Sequence, residues 1–394
     1  MERRSFLTGA GALTLATLLA GCNSQNQAAL RIRLLKNSVP AQLLGAFRKS
    51  LQGQSVNLDF KPETQLQALF TLLQTWKQLG GQPVPQRFPI EIPFLSPAST
   101  ATPADLVTLG DYWLATAIQQ KLIQPLDSSS WQQWQKLPEK WRAIVTRSDQ
   151  GLPDPKGKVW AAPYRWGSTV ILYRKDIFRD KNLQPPTDWG DLWRDDLRGH
   201  ISLLDQPREV IGLTLKRSGK SYNTIDLQSV PQLEADLRSL HQQVKFYSSD
   251  NYLQPLILGD TWVAVGWSTD ALPLIQRSQP IEAVFPKSGT AVWADLWVHP
   301  ATSQPVQETQ ALLSKWINFC WTPEIAPQLS LLSDAASPIL TALDAATFPK
   351  ELQKNPLLVP NAEQLLDRSE FLEPLPTATV ESYRSLWERF RRVS

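Results

Sequence analysis

The sequence predicts an α/β protein built from two lobes with a ligand cleft between them. Segments with strand and helix patterns alternate along the chain, which favours parallel sheets covered by helices. The same alternation starts again in the middle of the chain, so a second α/β unit follows the first. The length of 394 residues suits two domains of ordinary size or one large bilobal one.

The first half of the chain contains the elements of one α/β unit. Three segments have the alternating or apolar pattern of strands: RIRLL, SVNLDF and ADLVTL. Three others have the pattern of helices: residues 40–50, the amphipathic stretch from Leu66 to Leu79, and GDYWLATAIQQKLI after a turn. Residues 81–97 are rich in proline and predict an irregular excursion.

The second half repeats this organisation. Its predicted strands are HISLLD, TWVAVGW, IEAVFP and VWADLW. Its predicted helices begin after a cap at Asp188 and at Pro207, and continue with ETQALLSKWINFCW and VESYRSLWERFRR. KVWAAPYRWGSTVILYRKD predicts two apolar strands on either side of a Pro-Tyr-x-Trp-Gly bend. In such folds ligands bind at the carboxyl ends of the strands.

VWADLW is a candidate part of a binding site. On a strand, Trp293, Asp295 and Trp297 share one face, which places a carboxylate between two indoles. One interpretation is an edge strand with Asp295 in water. The other is a pocket for a cation, with rings as walls and the carboxylate supplying the charge, since a buried carboxylate without a partner is costly.

Several function classes find no support in the residues. The three histidines lie far apart, and no Ser-His-Asp set, phosphate-binding loop or dinucleotide turn is visible, which argues against an enzyme or a cofactor. A net charge of +3 without a basic stripe argues against nucleic acid as a partner. Cys320 lies in an apolar helical pattern and is predicted to be a buried structural thiol.

The N-terminus has the layout of an export signal. Arg3 and Arg4 precede a short apolar run that ends in Leu-Ala-Gly-Cys22. The arginine pair resembles a twin-arginine signal, with an ordinary basic n-region as the alternative. The ending resembles a bacterial lipobox, with an incidental cysteine as the alternative. We therefore expect a signal peptide at 1–21 and a lipidated tether at 22–29.

Several segments together resemble the spermidine/putrescine-binding proteins, the extracellular receptors of polyamine ABC transporters. They cover most of residues 100–330 and are ADLVTLGDYWL, APYRWGSTVILYRKD, PPTDWGDLWRDDLRGHISLLDQPREVIGLTLKRSG, YNTIDL, YSSDNYLQPLILGDTWVAVGWSTDA and VFPKSGTAVWADLWVHP. The resemblance implies a type II periplasmic-binding-protein fold that closes on its ligand without catalysis. We expect lobe 1 to comprise 30–163 and 292–335, and lobe 2 to comprise 164–291 and 336–394.

The pocket of that family uses aromatic rings along the methylene chain and carboxylates at the ammonium ends. Carried over by position, the resemblance implies five ligand contacts: Tyr112, Glu209, Trp267, Trp293 and Asp295. Helix-dipole compensation is the alternative for Glu209, and core packing is the alternative for Trp267. Trp297 has no counterpart in the pocket and is predicted to lie in the core.

Four positions depart from the family pattern. Leu35 stands roughly where the family has an aromatic residue, Gly110 replaces a serine, and Leu372 stands where a glutamine is expected. Gln206 replaces an aspartate, although the neighbouring Asp205 could reach the site by a small shift.

Two further residues are candidates to compensate for these departures. Trp166 is predicted to lie at the hinge beside the cleft, with hinge packing as its alternative. Asp270 offers a second carboxylate, with a helix cap as its alternative.

The sequence thus predicts a monomeric, lipid-anchored solute-binding protein outside the bacterial plasma membrane. We expect it to capture a polyamine such as putrescine or spermidine and deliver it to an ABC permease. One alternative is a different small solute in the altered pocket. Another is a structural or sensing lipoprotein that has lost transport, and an enzyme is the third.

Overall fold

The computed structural model of the protein describes residues 30–51, 56–82, 102–277, 280–358 and 366–392. Within these ranges the strands are β1 (Leu30–Leu35), β2 (Leu58–Glu63), β3 (Leu106–Gly110), β4 (Ile123–Gln124), β5 (Thr146–Arg147), β6 (Lys158–Val159), β7 (Ala161–Arg174), β8 (Ile201–Leu203), β9 (Val244–Tyr247), β10 (Val263–Trp267), β11 (Ile281–Val284), β12 (Ala291–Pro300) and β13 (Glu370–Phe371).

The α-helices of the described residues alternate with these strands, as the sequence predicts. They are α1 (Ala41–Ser50), α2 (Leu66–Gln78), α3 (Leu114–Gln119), α4 (Glu139–Val145), α5 (Lys175–Asp180), α6 (Pro207–Arg217), α7 (Leu233–Gln243), α8 (Leu253–Leu258), α9 (Ser268–Gln276), α10 (Gln307–Cys320), α11 (Ala326–Ser333), α12 (Lys350–Gln353) and α13 (Thr377–Arg391).

One long strand, β7, belongs to both halves of a continuous sheet whose strand order is β2-β1-β3-β12-β7-β10-β8-β9. The first part of β7 runs antiparallel to β12, as far as Ser168 opposite Val292. From Thr169 onwards it runs antiparallel to β10, and its last residues also pair with β11. One half-sheet therefore lies on each side of β7, and β12, formed by VWADLW, lies with β1, β2 and β3 of the first half of the chain.

Each half of the sheet has its own group of buried apolar side chains. The first group surrounds β1, β3 and β12 and includes Trp76, Trp297 and Trp316. The second lies under α6, α7 and α13 and includes Trp189 and Tyr383. Buried residues from Ile339 to Leu366 belong to the first group, whereas α13 belongs to the second. The predicted lobe boundaries remain predictions.

The prediction of two strands around a bend at KVWAAPYRWGSTVILYRKD was wrong. The chain forms a single 14-residue strand there. Asp295 lies opposite Arg165 and Leu296 lies opposite Pro163, so Tyr164 is an extra residue that makes a bulge in β7. A bulge accommodates a proline without breaking the strand, and it lets β7 continue from one half-sheet into the other.

Most local predictions are confirmed. Asp188 caps a short 3₁₀ helix by accepting a hydrogen bond from Trp189 N at 2.9 Å, and Pro207 is the first residue of α6. Trp297 and Cys320 are buried in the core. The strand predicted from SVNLDF begins later, at Leu58. Of the proline-rich stretch 81–97, only residues 81 and 82 belong to the described ranges.

None of the helices in the described ranges is long and apolar enough to cross a membrane. The predicted signal peptide, the tether and Cys22 lie outside the described residues.

Gly266 in β10 provides a test of the packing. A Cβ at this position would lie 1.8 Å from Cε2 of Tyr252. We therefore expect Gly266→Ala to lower the free energy of unfolding by about 1–3 kcal/mol, the usual cost of overpacking. Urea denaturation followed by circular dichroism measures this. Gly45→Ala is the matched control, because no heavy atom lies within 4 Å of its Cβ position in α1. Equal losses in both variants would contradict the packing.

Candidate functional site at the junction of the two half-sheets

Trp293 of β12 pairs with β7 at the junction of the half-sheets. Its strand partner is Gly167, where a Cβ would lie 2.3 Å from Cζ2 of the indole and 2.7 Å from Oγ of Ser268. Only glycine allows an approach this close. The ring of Trp293 therefore reaches from the first half-sheet to the start of α9 in the second. Its Nε1 is buried and has no hydrogen-bond partner among the described residues.

Asp295 is paired inside the protein. Its side chain is 1% exposed, and its Oδ2 accepts a hydrogen bond of 2.6 Å from Nε of Arg165, the residue opposite on β7. Nη1 of Arg165 also donates to the carbonyl of Ser333 at 3.2 Å. Burial raises the pKa of Asp295, and Arg165 opposes that rise. The interpretation of Asp295 as an edge-strand residue in water was wrong.

Asp111 is a half-buried carboxylate that the sequence analysis did not select. It follows Gly110, the residue opposite Asp295 at the end of β3, and begins a 3₁₀ turn. Its Oδ1 accepts a hydrogen bond of 3.1 Å from the backbone N–H of Ala294. Burial raises the pKa of Asp111 to about 7, and the charge of Asp295 contributes. Its position directly after a buried strand was the available signal.

Glu209 supplies a second buried carboxylate from the other half-sheet. It lies in the first turn of α6, is 5% exposed, and accepts a hydrogen bond of 3.0 Å at Oε2 from Oγ1 of Thr169 on β7. Burial raises the pKa of Glu209 to about 7, although Arg208 acts in the opposite direction. The position is consistent with both predicted roles, ligand contact and compensation of the helix dipole.

Asp270 and Trp267 are joined through Tyr252. Oη of Tyr252 accepts a hydrogen bond of 3.0 Å from the backbone N–H of Trp267 and donates one of 2.7 Å to Oδ2 of Asp270. Burial raises the pKa of Asp270. Its side chain does not cap α9, so the predicted cap is not formed. Trp267 is half-buried at the end of β10.

The remaining candidates differ in their surroundings. Tyr112 is 54% exposed and follows the half-buried Asp111. Trp166 is 2% exposed and packs on Trp141 with ring centroids 5.3 Å apart, which favours its hinge-packing alternative. Asp205 is exposed and forms an ion pair with Arg391 of α13. All eight candidates remain predictions as ligand contacts.

The junction therefore combines two features. The half-buried Asp111 and the buried Glu209 have no ion pair among the described residues. Trp293 is next to Ala294, which bonds Asp111, and Trp267 lies opposite Thr169, which bonds Glu209. A surface groove of about 510 Å³ lies elsewhere, between residues 225–234 and α13, and contains none of these residues. The junction is the candidate site, because burying a carboxylate without a counter-ion is costly unless a ligand neutralises it.

A two-lobed α/β fold with carboxylates and indoles at the junction defines a binding protein for a small solute. The model of the bacterial extracellular solute-binding proteins matches residues 101–368. The chain belongs to this family.

Individual relatives agree with that assignment. The spermidine/putrescine-binding periplasmic protein of Escherichia coli (strain K12) is 28% identical over 261 residues, which are 66% of this chain and 70% of the relative. The putrescine-binding periplasmic protein PotF of the same organism is 25% identical over 293 residues, covering 67% of this chain and 72% of PotF. The resemblance to the spermidine/putrescine-binding proteins is confirmed.

A solved structure confirms the bilobal fold. The spermidine/putrescine substrate-binding protein PotD of Streptococcus pneumoniae superposes with a TM-score of 0.74 at 21% identity. The match covers 92% of this chain and 98% of PotD. At this identity the superposition shows the fold.

Glu209 should make stability depend on pH. Its pKa is about 7 in the folded protein and about 4.3 in an unfolded chain, so the unfolded state releases the proton first. The free energy of unfolding should therefore fall by up to about 4 kcal/mol as pH rises from about 4 to above 7. We expect Glu209→Gln to be more stable than the unchanged protein at pH 8, measured by urea denaturation without ligand at pH 5 and 8. The exposed Glu351→Gln should follow the unchanged protein at both pH values.

Proposed function

We propose that this protein captures a polyamine or a related cationic amine and delivers it to the permease of an ABC transporter. The observation that carries the proposal is a pair of carboxylates without an ion pair among the described residues, the half-buried Asp111 on one side of the junction and the buried Glu209 on the other. Two ammonium groups of one ligand would neutralise both. Charge-assisted hydrogen bonds of this kind are roughly twice as strong as neutral ones.

The indoles supply the other half of polyamine recognition. An ammonium over an indole face gains roughly 0.5–2 kcal/mol, and methylene groups between the charges gain by burial against the rings. Trp293 of β12 lies opposite Gly167 of β7 and Trp267 lies at the end of β10, so the two rings come from different half-sheets. Closure of the lobes would bring both onto one ligand, and affinity would depend on the population of the closed state.

The relatives support the same ligand class. Spermidine and putrescine stand in the names of the similar proteins from Escherichia coli and Streptococcus pneumoniae. We infer a transport role without catalysis, since the family consists of solute-binding proteins. The permease and a monomeric state are part of the proposal.

We further propose that the protein is exported and tethered to the outer face of a membrane through lipid on Cys22. The supporting pattern is Arg3-Arg4, the short apolar run and Leu-Ala-Gly-Cys22. An anchor at this point would leave residues 23–29 as a polar spacer before β1. Twin-arginine export would imply folding before export.

A different amine-bearing solute is the second candidate. Nε1 of Trp293 is a buried donor without a described partner, and a polyamine with fully protonated nitrogens offers it no acceptor. A ligand with one ammonium group and an acceptor oxygen would use both Glu209 and this indole.

Calorimetry tests the ligand class. We expect putrescine, spermidine or spermine to bind with a dissociation constant below about 10 μM, a free energy near −7 kcal/mol. Glu209→Gln should weaken binding at least tenfold, because it removes a charge-assisted bond. The exposed Glu351→Gln is the control with the same chemical change. Binding of acetylated amines or amino acids with no polyamine binding would replace the first candidate by the second.

Polyamine affinity should rise with pH. Asp111 and Glu209 have pKa values of about 7 in the ligand-free protein, so both are largely protonated at pH 6. Alkyl ammonium groups, with a pKa near 10, keep their charge throughout this range. We expect affinity to fall roughly ten- to a hundredfold from pH 8 to pH 6, with protons released on binding. Calorimetry in two buffers of different ionisation enthalpy measures both effects. A flat profile would contradict carboxylate contacts.

A further inference from the structure

We propose that Asp111, and not Asp295, is the first-lobe carboxylate that contacts the ligand's ammonium group. The assignment rests on the proposed function. The family position for this contact is Asp295, and the structure gives that residue a different partner.

The first step is the state of Asp295. Both members of the Arg165–Asp295 pair are buried, at 6% and 1% exposure, and the hydrogen bond between them is 2.6 Å long. Arg165 is also held by the carbonyl of Ser333. An ammonium group approaching Asp295 would meet the guanidinium of Arg165 beside it. Displacing Arg165 would leave a buried cation without a partner, which is strongly unfavourable.

The second step is the position of Asp111. Gly110 lies opposite Asp295 on the neighbouring strand, so Asp111 is the next side chain along. The hydrogen bond from Ala294 N fixes the carboxylate of Asp111 beside the backbone between Trp293 and Asp295. An ionised carboxylate has about four acceptor positions, and backbone N–H groups occupy part of them. The remaining positions have no side-chain cation within ion-pair distance among the described residues.

The third step is the position of Trp293. Trp293 precedes Ala294 on β12, so Ala294 fixes the carboxylate of Asp111 and the preceding residue supplies an indole. The face of an indole attracts an ammonium group. The carboxylate and the ring therefore suit the same cationic ligand.

The charge balance follows from these contacts. Glu209 and Asp295 are buried and Asp111 is half-buried. Arg165 neutralises Asp295, which leaves Asp111 and Glu209 without an ion pair among the described residues. Asp270, half-buried and bonded to Tyr252, adds a further acidic group on the second lobe. The site is therefore suited to a ligand with at least two ammonium groups, with Asp111 and Glu209 contacting different ones.

Spermidine binding to the purified protein, measured by calorimetry at pH 8, tests the assignment. Asp111→Asn should bind at least tenfold more weakly than the unchanged protein. The double variant Arg165→Met/Asp295→Asn removes both charges of the internal pair, so its affinity should stay within about threefold. The reverse pattern, with affinity kept in Asp111→Asn and lost in a folded double variant, would overturn the assignment.

If the double variant does not fold, the number of protons released on binding tests the assignment instead. At pH 6.5, Asp111→Asn should release about one proton fewer than the unchanged protein on binding spermidine, and an unchanged proton count overturns the assignment. The outcomes also separate the two proposals. If the unchanged protein binds no polyamine, the proposed function falls together with this inference. Tight binding by both the unchanged protein and Asp111→Asn overturns only the inference.

Discussion

The pairing of β7 along its whole length is the constraint on which the other features depend. β7 pairs with β12 in its first part and with β10 and β11 in its second, so one strand belongs to both half-sheets. Residues that are close on β7 thereby join the two lobes. Arg165 meets Asp295 from the first half-sheet, and Thr169 meets Glu209 from the second. The bulge at Tyr164 keeps the strand continuous across the junction.

The carboxylates at the junction destabilise the folded protein, and a cationic ligand would remove this destabilisation. Removing a carboxylate from water without a counter-ion destabilises a folded chain, and it raises the pKa values of the half-buried Asp111 and the buried Glu209. The core of the protein does not share this destabilisation, because the buried ion pair between Arg165 and Asp295 is internally neutral. The ionised side chains of Asp111 and Glu209 thus lower the stability of the ligand-free protein and favour binding of a cation. Such opposition is common where a site must receive a charged ligand.

Local elements were predictable because their causes are local. The capping side chain of Asp188 and the proline that begins α6 act within a few residues of their own position. The apolar spacing of α2 likewise reports the face that packs on the sheet. The bend predicted around Pro163 failed because the partner strand β12, which lies far away in the sequence, decides whether that segment breaks. A bulge and a bend give the same local sequence signal.

The residues of the candidate site could also be predicted from the sequence only in part. Sequence patterns and family resemblance were enough to select Trp293, Asp295 and Glu209, and the structure brings all three to the junction. Sequence patterns and family resemblance did not predict which carboxylates are neutralised by a neighbouring cation. Arg165 is 130 residues from Asp295, and Asp111 is 183 residues from Ala294.

The sequence by itself therefore determined the alternation of strands and helices, the caps, the family and the residues available for a cationic ligand. Only the tertiary structure decided which carboxylate is neutralised and which remains without a counter-ion. The physical reason is that the ionisation of a buried group depends on its burial and its nearest charges. Both are set by strand pairing between distant parts of the chain.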